Sequence, residues 1–416
     1  MIEYGLLGAK LGHSYSKPIH NLLADYNYEL YAVTSEELKE LMISRAFRGL
    51  NVTIPYKKDV LPYLDEISDE VHEVGSANTL VMGADGKLRG YNTDLAGFLS
   101  MADRAGVTLT GRKVVILGSG GTSLTAQAAA RRRKAREIIV IISRSGEVNY
   151  EALYRDHTDA EVIVNTTPVG MYPRNGESPI DLSAFPKCEG VLDVIYNPFH
   201  TALLQQAEER GIPSENGLWM LVAQAKFAAE YFTGRQIPDE KIALVYGKMR
   251  AEMSNLILTG MPGCGKSTIG RALAERMGRE FVDMDEIIVR LAGKSIPEIF
   301  ADDGEEAFRA IETEAARECG KEKSMVIATG GGAVTKDATM KALSQNGEIL
   351  FIDRPLEYLA TDGRPLSAGG PDRLRAMHEK RLPLYKKYAA CRIDNSGSIE
   401  EAIQAATEGF YEAADH

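Results

Sequence analysis

The sequence predicts an α/β fold with parallel sheets. Short apolar runs alternate with longer stretches of helical period, which is typical of parallel strands joined by helices. Two of the apolar runs end in glycine-rich turns of different kinds, at residues 118–122 and 260–268. The length of 416 residues exceeds what one ordinary core accommodates, so two or three domains are expected.

Composition and charge restrict the class of protein. Hydrophobic residues make up 44% of the chain, as in soluble globular proteins, and a net charge of −11 argues against nucleic-acid binding. The four cysteines form no CxxC pair, so neither a disulfide framework nor a zinc site follows, and a cytoplasmic location is predicted. Neither a signal-peptide pattern nor an apolar stretch of membrane-spanning length is visible. We therefore expect small-molecule substrates, no nucleic-acid partner and no membrane partner; the oligomeric state stays open.

The elements follow in order from the periodicity of the apolar residues. In the first part, strand-like runs lie at residues 4–8, 29–33, 49–52, 113–117, 138–142, 162–164 and 190–194. Helical patterns cover residues 123–133 and 218–232, the latter followed by Gly234. A new strand starts at Asn255, so the boundary between the two parts is predicted near Met253, with little or no flexible linker.

The turn at residues 260–268, Gly-Met-Pro-Gly-Cys-Gly-Lys-Ser-Thr, is a full P-loop that follows an apolar run. Its glycines allow backbone N–H groups to point at phosphates, Lys266 reaches the β- and γ-phosphates, and Ser267 can bind Mg²⁺. A chance match is the alternative, which the preceding strand and the following helical segment disfavour. The predicted ATP-binding residues of this turn are Gly263, Cys264, Gly265, Lys266, Ser267 and Thr268.

An acidic pair closes the next strand-like run, Phe-Val-Asp-Met-Asp at residues 281–285. Alternation along a strand predicts that Asp283 and Asp285 share one face at the strand end, where one supports Mg²⁺ and the other meets an acceptor hydroxyl. An ordinary helix N-cap pair is the alternative. Further along the chain come a Gly-Gly-Gly segment, whose backbone is not covered by side chains, and arginines suited to binding anions. These features disfavour the interpretation of the two aspartates as an ordinary N-cap pair. These features are residues 330–332, Arg309, Arg364 and Arg381.

Together these motifs resemble shikimate kinase over essentially all of residues 254–416. The matching motifs are the P-loop, Asp-x-Asp, Phe-Arg-x-x-Glu (308–312), Gly-Gly-Gly, Arg-Pro-Leu (364–366) and Arg-x-Pro-Leu-Tyr (381–385). The resemblance implies a P-loop, NMP-kinase-like α/β domain with a parallel sheet that uses ATP and Mg²⁺, the ion lying at Ser267 and Asp283. It also implies that shikimate is bound by Asp285, Arg309, Gly331 and Arg381, with the two arginines on its carboxylate.

The resemblance to shikimate kinase assigns catalytic roles as well. Asp285 orients or deprotonates the 3-hydroxyl, Lys266 contacts the phosphates, and Arg364 is the lid arginine that binds ATP and stabilises the migrating phosphoryl group. The segment 359–363 before Arg364 is short and lacks an arginine that many members of the family carry there. Because that arginine packs on adenine in the family, lid closure or ATP affinity is expected to differ in this chain.

The turn at residues 118–123, Gly-Ser-Gly-Gly-Thr-Ser, is an imperfect dinucleotide fingerprint, with Ser123 in place of the third small residue. Alone the match is weak, but a strand precedes it and a helix follows. The next strand ends in Ser143 and Arg144 instead of the acidic residue that binds a ribose 2′-hydroxyl. Arg144 suits a 2′-phosphate, so NADP is favoured over NAD. The basic run 131–134 is interpreted as cations at a helix end.

Polar motifs suited to a hydroxylated substrate lie before this turn, at residues 12–16, 51–57, 75–79 and 90–94. Each alone is most often a turn or a cap. Together they resemble shikimate dehydrogenase over roughly residues 1–250, with further matching segments at 165–171 and 216–221. By this resemblance, Ser14 and Ser16 bind the substrate carboxylate.

Further roles follow from the resemblance to shikimate dehydrogenase. Lys57 and Asp94 form the catalytic pair, and which of them is the sole acid or base stays open. Asp94 also contacts the substrate, and the pocket is completed by Thr53, Asn78, Tyr196 and Gln224. The predicted NADP-binding residues are Gly118, Ser119, Gly120, Gly121, Thr122, Ser143, Arg144, Val194 and Gly217.

Three other residues near these motifs have competing interpretations. His13 and His20 flank the serine motif and are rival acid–base groups. They rank below Lys57, because a lone histidine in a loop or a first helical turn is more often structural. Trp219 departs from the small residue usual in the family and either fills space near the nicotinamide or only packs.

The two resemblances imply consecutive reactions. The dehydrogenase part, residues 1–252, is expected to contain a substrate domain (about 1–95 and 220–250) and a Rossmann NADP domain (about 96–219), followed by the kinase part at 253–416. Reduction of 3-dehydroshikimate by NADPH gives shikimate, which ATP then converts to shikimate 3-phosphate. The sequence therefore predicts a bifunctional enzyme of chorismate and aromatic amino-acid biosynthesis.

Two alternatives to this prediction stay open. The first is a quinate-using or NAD-linked dehydrogenase joined to the kinase. The second is that one half is a nucleotide-binding regulatory module without catalysis, for which the short lid makes the kinase half the weaker candidate.

Overall fold

Two compact units make up the chain: Met1–Gly170 with Glu177–Tyr246, and Met171–Gly176 with Gly247–His416. The computed structural model describes residues 2–12, 14–142, 149–359 and 370–415. Its strands form three sheets, two in the first unit and one in the second. The predicted α/β class is thereby confirmed.

A six-stranded mixed sheet opens the first unit, in the order β2-β1-β3-β5-β6-β4. Its strands are β1 (Ile2–Gly8), β2 (Tyr28–Ala32), β3 (Phe47–Val52), β4 (Glu66–Ile67), β5 (Thr79–Met82) and β6 (Leu88–Tyr91). Its helices are α1 (Ser16–Leu23), α2 (Ser35–Ser44) and α3 (Asp69–Val74), with a 3₁₀ turn at Leu61–Tyr63. The strand β5 runs antiparallel to both of its neighbours, a hairpin arrangement that the prediction of parallel sheets did not include. The short turn between β5 and β6 explains the antiparallel pairing of these two strands, since neighbouring strands so joined must run in opposite directions.

A five-stranded parallel sheet follows, in the order β11-β10-β9-β7-β8. Its strands are β7 (Lys113–Leu117), β8 (Glu137–Ile141), β9 (Val162–Asn165), β10 (Gly190–Asp193) and β11 (Ser214–Glu215). The helices that follow the first sheet along the chain are α4 (Thr93–Arg104), α5 (Gly121–Arg132), α6 (Tyr150–Asp156), α7 (Ala202–Glu209), α8 (Gly217–Thr233) and α9 (Glu240–Met253), with a 3₁₀ turn at Leu182–Ala184. Alternate residues of β7 enter different cores, Val114 and Ile116 on one face and Val115 and Leu117 on the other. Burial on both faces explains why this strand is apolar throughout.

The second unit contains a five-stranded parallel sheet in the order β13-β14-β12-β15-β16. Its strands are β12 (Asn255–Thr259), β13 (Glu280–Asp283), β14 (Met325–Ala328), β15 (Gly347–Asp353) and β16 (Cys391–Asp394). Its helices are α10 (Lys266–Met277), α11 (Met284–Ala292), α12 (Ile296–Asp302), α13 (Gly304–Gly320), α14 (Asp337–Ser344), α15 (Gly370–Tyr388) and α16 (Ile399–Asp415), with 3₁₀ turns at Ala333–Thr335 and Leu356–Tyr358. The P-loop therefore joins the central strand β12 to α10.

The predicted placement of the two acidic residues on one strand face is wrong. The strand β13 ends at Asp283, and Asp285 already lies in the first turn of α11. Asp283 is the N-cap of α11, and its Oδ1 accepts a hydrogen bond from the backbone N of Asp285 at 3.1 Å. An aspartate that can satisfy a free N–H group favours the start of a helix over one more strand residue.

The junction between the two units contains no irregular linker. Helix α9 ends at Met253 and β12 begins at Asn255, as predicted for that strand. The division into compact units falls earlier, between Tyr246 and Gly247 within α9. The boundary near Met253 therefore stays a prediction. Over the part of the chain that the structure describes, every helix is too short or too polar to cross a membrane.

Candidate active sites

A cavity of about 480 Å³ in the first unit gathers every residue predicted to bind or convert the dehydrogenase substrate. These residues are Ser14, Ser16, Thr53, Lys57, Asn78, Asp94, Tyr196 and Gln224. The remaining lining residues are Leu6, Lys10, Leu11, Gly12, Tyr15, Asn51, Val52, Thr122, Val194, Gly217, Met220 and Leu221. The cavity thus lies where the carboxyl ends of β1, β3 and β10 approach the amino ends of α4 and α8. Ends of strands and helices supply free backbone and side-chain polar groups, which suit a polar ligand.

An ion pair faces this cavity. Lys57, just beyond the end of β3, places its Nζ 2.6 Å from Oδ2 of Asp94 in the first turn of α4. The side chains are 28% and 14% exposed, so both are largely withdrawn from solvent yet open to the cavity. A carboxylate at this distance orients the ammonium group, which is the arrangement required to deliver a proton to a defined point.

Asn78 is held rigidly at the floor of the cavity. It is buried, and its Oδ1 accepts hydrogen bonds from the backbone N of Thr93 at 2.8 Å and from Oγ1 of Thr79 at 3.0 Å. Its Nδ2 donates to Oγ1 of Thr93 at 3.0 Å. The neighbouring Asn51 donates to the carbonyl oxygen of Asn78 at 3.3 Å and was not predicted as a site residue. These bonds fix the start of β5 against the start of α4, which carries Asp94.

Two serines and a tyrosine also line this cavity. Oγ of Ser14 accepts a hydrogen bond from the backbone N of Ser16 at 3.2 Å, so the two serines lie close together at the start of α1. The ring of Tyr196 meets that of Tyr15 edge to face, with centroids 6.2 Å apart. Burial raises the pKa of Tyr196, so its hydroxyl stays protonated and can donate a hydrogen bond.

The surroundings of His20 agree with its rank below Lys57 as an acid–base group. Its ring is buried and stacks on Tyr28 with centroids 3.9 Å apart, and Nδ1 lies 2.5 Å from the hydroxyl of Tyr26. Burial lowers the pKa of His20 to about 3. The ring is therefore a neutral core group at physiological pH. His13 lies outside the described residues.

Trp219 packs among helices. Its Nε1 donates to Oγ of Ser100 at 2.9 Å, and the guanidinium of Arg104 lies over its ring at 4.3 Å and over the ring of Tyr246 at 4.5 Å. Trp219 is not among the described residues that line the dehydrogenase cavity. The packing role is therefore the one that these contacts support.

In the second unit, a cavity of about 250 Å³ opens beside the P-loop. The predicted residues that line it are Gly263, Gly265, Lys266, Ser267, Thr268, Asp283, Asp285, Arg309, Gly331 and Arg381. The other lining residues are Pro262, Ile296, Phe300, Phe308, Glu312, Thr329, Gly330 and Gly332. Cys264 is fully buried behind the loop, where its carbonyl oxygen accepts a hydrogen bond from Nδ2 of Asn395 at 2.7 Å.

One end of this cavity is cationic and rigid. Arg309 on α13 is nearly buried and pairs through Nη1 with Oε2 of the fully buried Glu312 at 2.6 Å. On α15, Nη1 of Arg381 donates to the carbonyl oxygen of Gly331 at 3.0 Å, and the hydroxyl of Tyr385 donates to the same oxygen at 2.6 Å. Two positioned guanidinium groups suit the bidentate binding of a carboxylate.

Glu312 is a residue that the predictions did not assign to the site. Burial raises the pKa of Glu312, while the positive charge of Arg309 opposes this shift. Its Oε1 is buried without a hydrogen-bond partner among the described residues, next to the Gly330 backbone. The available signal was the glutamate of the Phe-Arg-x-x-Glu motif, which lies one helical turn after Arg309 and so can face the same direction.

Family comparisons agree with these two cavities. Residues 6–80 match the model described as shikimate dehydrogenase substrate binding domain, and residues 262–409 match the model described as shikimate kinase. The shikimate dehydrogenase (NADP(+)) of Clostridium perfringens is 35% identical over 268 residues, covering 59% of this chain and 98% of that protein. The chain belongs to the shikimate dehydrogenase family. Its C-terminal part carries a shikimate kinase domain in addition, so both predicted resemblances are confirmed.

Solved structures support the family assignment. A chorismate mutase/shikimate 5-dehydrogenase fusion protein from Clostridium acetobutylicum is 36% identical, with a TM-score of 0.56, and the match covers 60% of this chain and 97% of that one. The shikimate 5-dehydrogenase of Thermus thermophilus, solved in complex with NADP(H) and shikimate, is 28% identical with a TM-score of 0.52 and covers 59% and 98% of the two chains.

The dinucleotide turn of this shikimate dehydrogenase family member fits a pyrophosphate. Gly120 is the N-cap of α5 and Gly121 its first residue, and a β-carbon added to either would meet no heavy atom within 4 Å. Bare backbone at a helix N-terminus is suited to phosphate oxygens. Gly217 instead allows the backbone at the start of α8 to lie close to Val194, because a β-carbon on residue 217 would be 2.0 Å from the carbonyl oxygen of Val194. Ser119, within this turn, is exposed. Three other residues predicted to bind NADP also line the substrate cavity: Thr122, Val194 and Gly217.

The P-loop of the shikimate kinase domain fits a nucleotide phosphate. Gly265 has a φ of 98°, a left-handed conformation that directs its N–H into the loop and that other residues rarely adopt. Nζ of Lys266 donates to the carbonyl oxygens of Gly260 at 2.9 Å and Met261 at 3.1 Å, which holds the ammonium inside the loop. An anion in this cradle would meet the ammonium and the N-terminus of α10 together.

A magnesium position is consistent with the adjacent side chains. Oγ of Ser267 donates to Oδ2 of Asp283 at 2.9 Å, which brings a hydroxyl and a carboxylate oxygen together beside the phosphate loop. Mg²⁺ typically takes one or two protein oxygens and completes its shell with waters and phosphates. Within the described ranges, no group of three or more His, Cys, Asp or Glu residues could hold a metal ion.

Three predicted residues cannot be placed. Ser143 and Arg144, predicted for the NADP 2′-phosphate, and Arg364, predicted for the lid, lie outside the described residues. Lys10 and Asn51 line the dehydrogenase cavity and were missed by the predictions. The signal for Asn51 was its position in the motif of residues 51–57, of which only the threonine and the lysine were used.

Proposed function

We propose that this chain catalyses two consecutive reactions, the NADPH-dependent reduction of 3-dehydroshikimate to shikimate and the phosphorylation of shikimate by MgATP. The observation that carries the proposal is the presence in one chain of two separate cavities, each lined by the residue set of one of these reactions. We assign residues 1–252 to the first activity and residues 253–416 to the second. All four cysteines are free thiols, which supports a cytoplasmic location.

For the reductase, bound NADPH supplies the hydride that the substrate carbon receives. The residues of the chain provide the proton and the orientation. Lys57, held by Asp94 at 2.6 Å, is positioned to donate a proton to the carbonyl oxygen of the carbon that receives the hydride, and Asp94 polarises both partners. The serine hydroxyls of Ser14 and Ser16 accommodate the carboxylate at the opposite side, assisted by the hydroxyl of Tyr196.

For the kinase, bound MgATP supplies the transferable phosphoryl group. Arg309 and Arg381 hold the carboxylate of shikimate, which directs its 3-hydroxyl toward Asp285 on the same cavity wall. The Asp285 carboxylate orients that hydroxyl and accepts its proton as the oxygen attacks phosphorus. Lys266 neutralises phosphate charge, and Ser267 with Asp283 holds the metal.

A coupled assay tests the proposal with the purified full chain, 3-dehydroshikimate, NADPH and MgATP. Loss of NADPH and release of ADP are followed separately. We expect both, with ADP release dependent on NADPH when no shikimate is supplied. Consumption of NADPH without ADP release, even after shikimate is added, would show that the kinase domain is a non-catalytic nucleotide-binding module.

Substrate and cofactor preference belong to the same test. In the oxidation direction, NAD with quinate should give a much lower kcat/KM than NADP with shikimate, because relatives of this chain are named shikimate dehydrogenase (NADP(+)). A preference for quinate or NAD would favour the alternative pairing of activities.

A further inference from the structure

A buried carboxylate lies where two loops leave the parallel sheet of the dehydrogenase part. Asp193 is the last residue of β10, is fully buried and was not among the predicted site residues. Its Oδ1 accepts hydrogen bonds from Nδ2 of Asn165 at 3.0 Å and from the backbone N of Ile195 at 3.1 Å. Its Oδ2 accepts one from Oγ1 of Thr201 at 2.8 Å. Because a buried carboxylate without hydrogen bonds is costly, the arrangement in which both oxygens of Asp193 accept hydrogen bonds is strongly favoured.

In one direction this network reaches the dinucleotide turn. Oδ1 of Asn165 accepts hydrogen bonds from the backbone N of Thr167 at 3.0 Å and from its Oγ1 at 2.7 Å. Between them, Oγ1 of Thr166 donates to the carbonyl oxygen of Leu117 at 2.7 Å. A β-carbon on Gly118 would lie 2.9 Å from the same Oγ1, so the loop after β9 is packed against the start of the dinucleotide turn.

In the other direction the network reaches the substrate cavity. Ile195, whose N–H is bound by Asp193, is followed at once by Tyr196, which lines the cavity. The carbonyl oxygen of Ile195 accepts a hydrogen bond from the backbone N of Gly217 at 2.9 Å. At the far end of the loop, Oγ1 of Thr201 caps α7 by accepting from the backbone N of Leu204 at 3.3 Å.

We infer that Asp193 is a positioning residue whose carboxylate joins the loops after β9 and β10. By fixing these two loops, it holds the dinucleotide turn in the position that binds NADPH and Tyr196 in the position that binds the substrate. The inference rests on the proposed reductase function. Among the described residues, the hydrogen bonds of this network do not involve Lys57, in the turn after β3, or Asp94, in α4. Removal of the carboxylate should therefore weaken binding of both ligands and leave the proton-transfer step nearly intact.

The variant Asp193→Asn tests this inference because it keeps the size of the side chain and places an NH₂ group against one of the donors. Burial raises the pKa of Asp193 to about 7, while hydrogen bonds from Ile195, Thr201 and Asn165 lower it, so assays at pH 8 compare Asn with an ionised carboxylate. We expect KM for 3-dehydroshikimate and for NADPH to rise about tenfold, with kcat changed less than about threefold.

Matched variants distinguish positioning from a general loss of stability. Thr201→Val should raise both KM values in the same direction and Thr201→Ser should restore them, which keeps the test open if Asp193→Asn does not fold. Asp159→Asn, at the amino end of the same sheet where Asp159 pairs with Lys113 at 2.8 Å, should leave both KM values unchanged.

Two results would overturn the inference. The first is that Asp193→Asn lowers kcat in proportion to the folded fraction while both KM values stay at wild-type level. The second is that Thr201→Val binds both ligands normally. A wild-type chain without reductase turnover would contradict the proposed function instead. In that case NADPH binding, followed by its fluorescence, compares the same variants, and equal affinities would reject the role of Asp193.

Discussion

Lys57 and Asp94 approach each other to 2.6 Å, from the end of β3 and the first turn of α4, at the wall of the dehydrogenase cavity. They are 37 positions apart in the sequence. The hydrogen bonds of Asn78 to Thr93 connect the strand β5 to the start of α4 and so fix where Asp94 stands. The orientation of the Lys57–Asp94 ion pair thus depends on the neighbouring amide of Asn78.

Substitution of Lys57 should separate the two activities. A positioned acid–base group contributes about 10²–10⁴ in rate, so Lys57→Ala should lower reductase turnover by that factor, with kinase turnover unchanged. Lys58→Ala, at the exposed neighbouring position, is the control and should leave both rates unaltered. Near-normal reduction by Lys57→Ala, measured as loss of NADPH absorbance, would remove Lys57 from the mechanism.

The reciprocal experiment uses the kinase site. Asp285→Ala should abolish phosphorylation of shikimate while reduction proceeds normally, because the proposed role of its carboxylate is to accept the hydroxyl proton. Glu286→Ala is a matched control, since Glu286 is the next residue of α11 and its side chain is 74% exposed. ADP release is the measurement, and a normal rate for Asp285→Ala would contradict the assignment.

Glu312 should control the affinity of the kinase for shikimate. Glu312→Gln removes the negative charge that orients Arg309 at 2.6 Å, and a hydrogen bond between charged groups contributes more than a neutral one. We expect KM for shikimate to rise about tenfold, with KM for ATP nearly constant. Glu314→Gln on the exposed side of α13 serves as the control. An unchanged KM for shikimate would show that Arg309 needs no such partner.

The stability of the dehydrogenase part should fall as the pH falls below 6.5. His20 has a pKa of about 3 in the folded chain against 6.5 when unfolded, so below pH 6.5 protons bind the unfolded state preferentially. Between pH 6.5 and 5 this costs about 2 kcal/mol. Urea unfolding followed by Trp219, the chain's single tryptophan and a residue of this unit, measures the change.

Comparison with His20→Gln isolates the contribution of this residue. The variant is less stable at pH 8 because it loses the stacking of the ring on Tyr28, but its stability should vary less between pH 7 and pH 5 than that of the wild type. Equal pH dependence in the two chains would show that other groups cause it.

Much of the fold follows from local sequence. The P-loop, the dinucleotide turn and the strand start at Asn255 were predicted where the structure has them, because glycine conformation and apolar alternation are properties of adjacent residues. The substrate-site residues of the two parts were predicted through family motifs, and the structure brings them together in two cavities. Their individual roles stay predictions until the variants above are measured.

Other features depend on residues that are distant in the sequence and became visible only in the folded chain. Asp283 and Asp285 were expected on one strand face, yet a capping hydrogen bond begins α11 between them. Asp193 looks like an ordinary end of a strand until Asn165, 28 positions away, donates to it. Burial, desolvation and hydrogen-bond partners are set by packing between segments, whereas periodicity and turn conformation are set by neighbours along the chain.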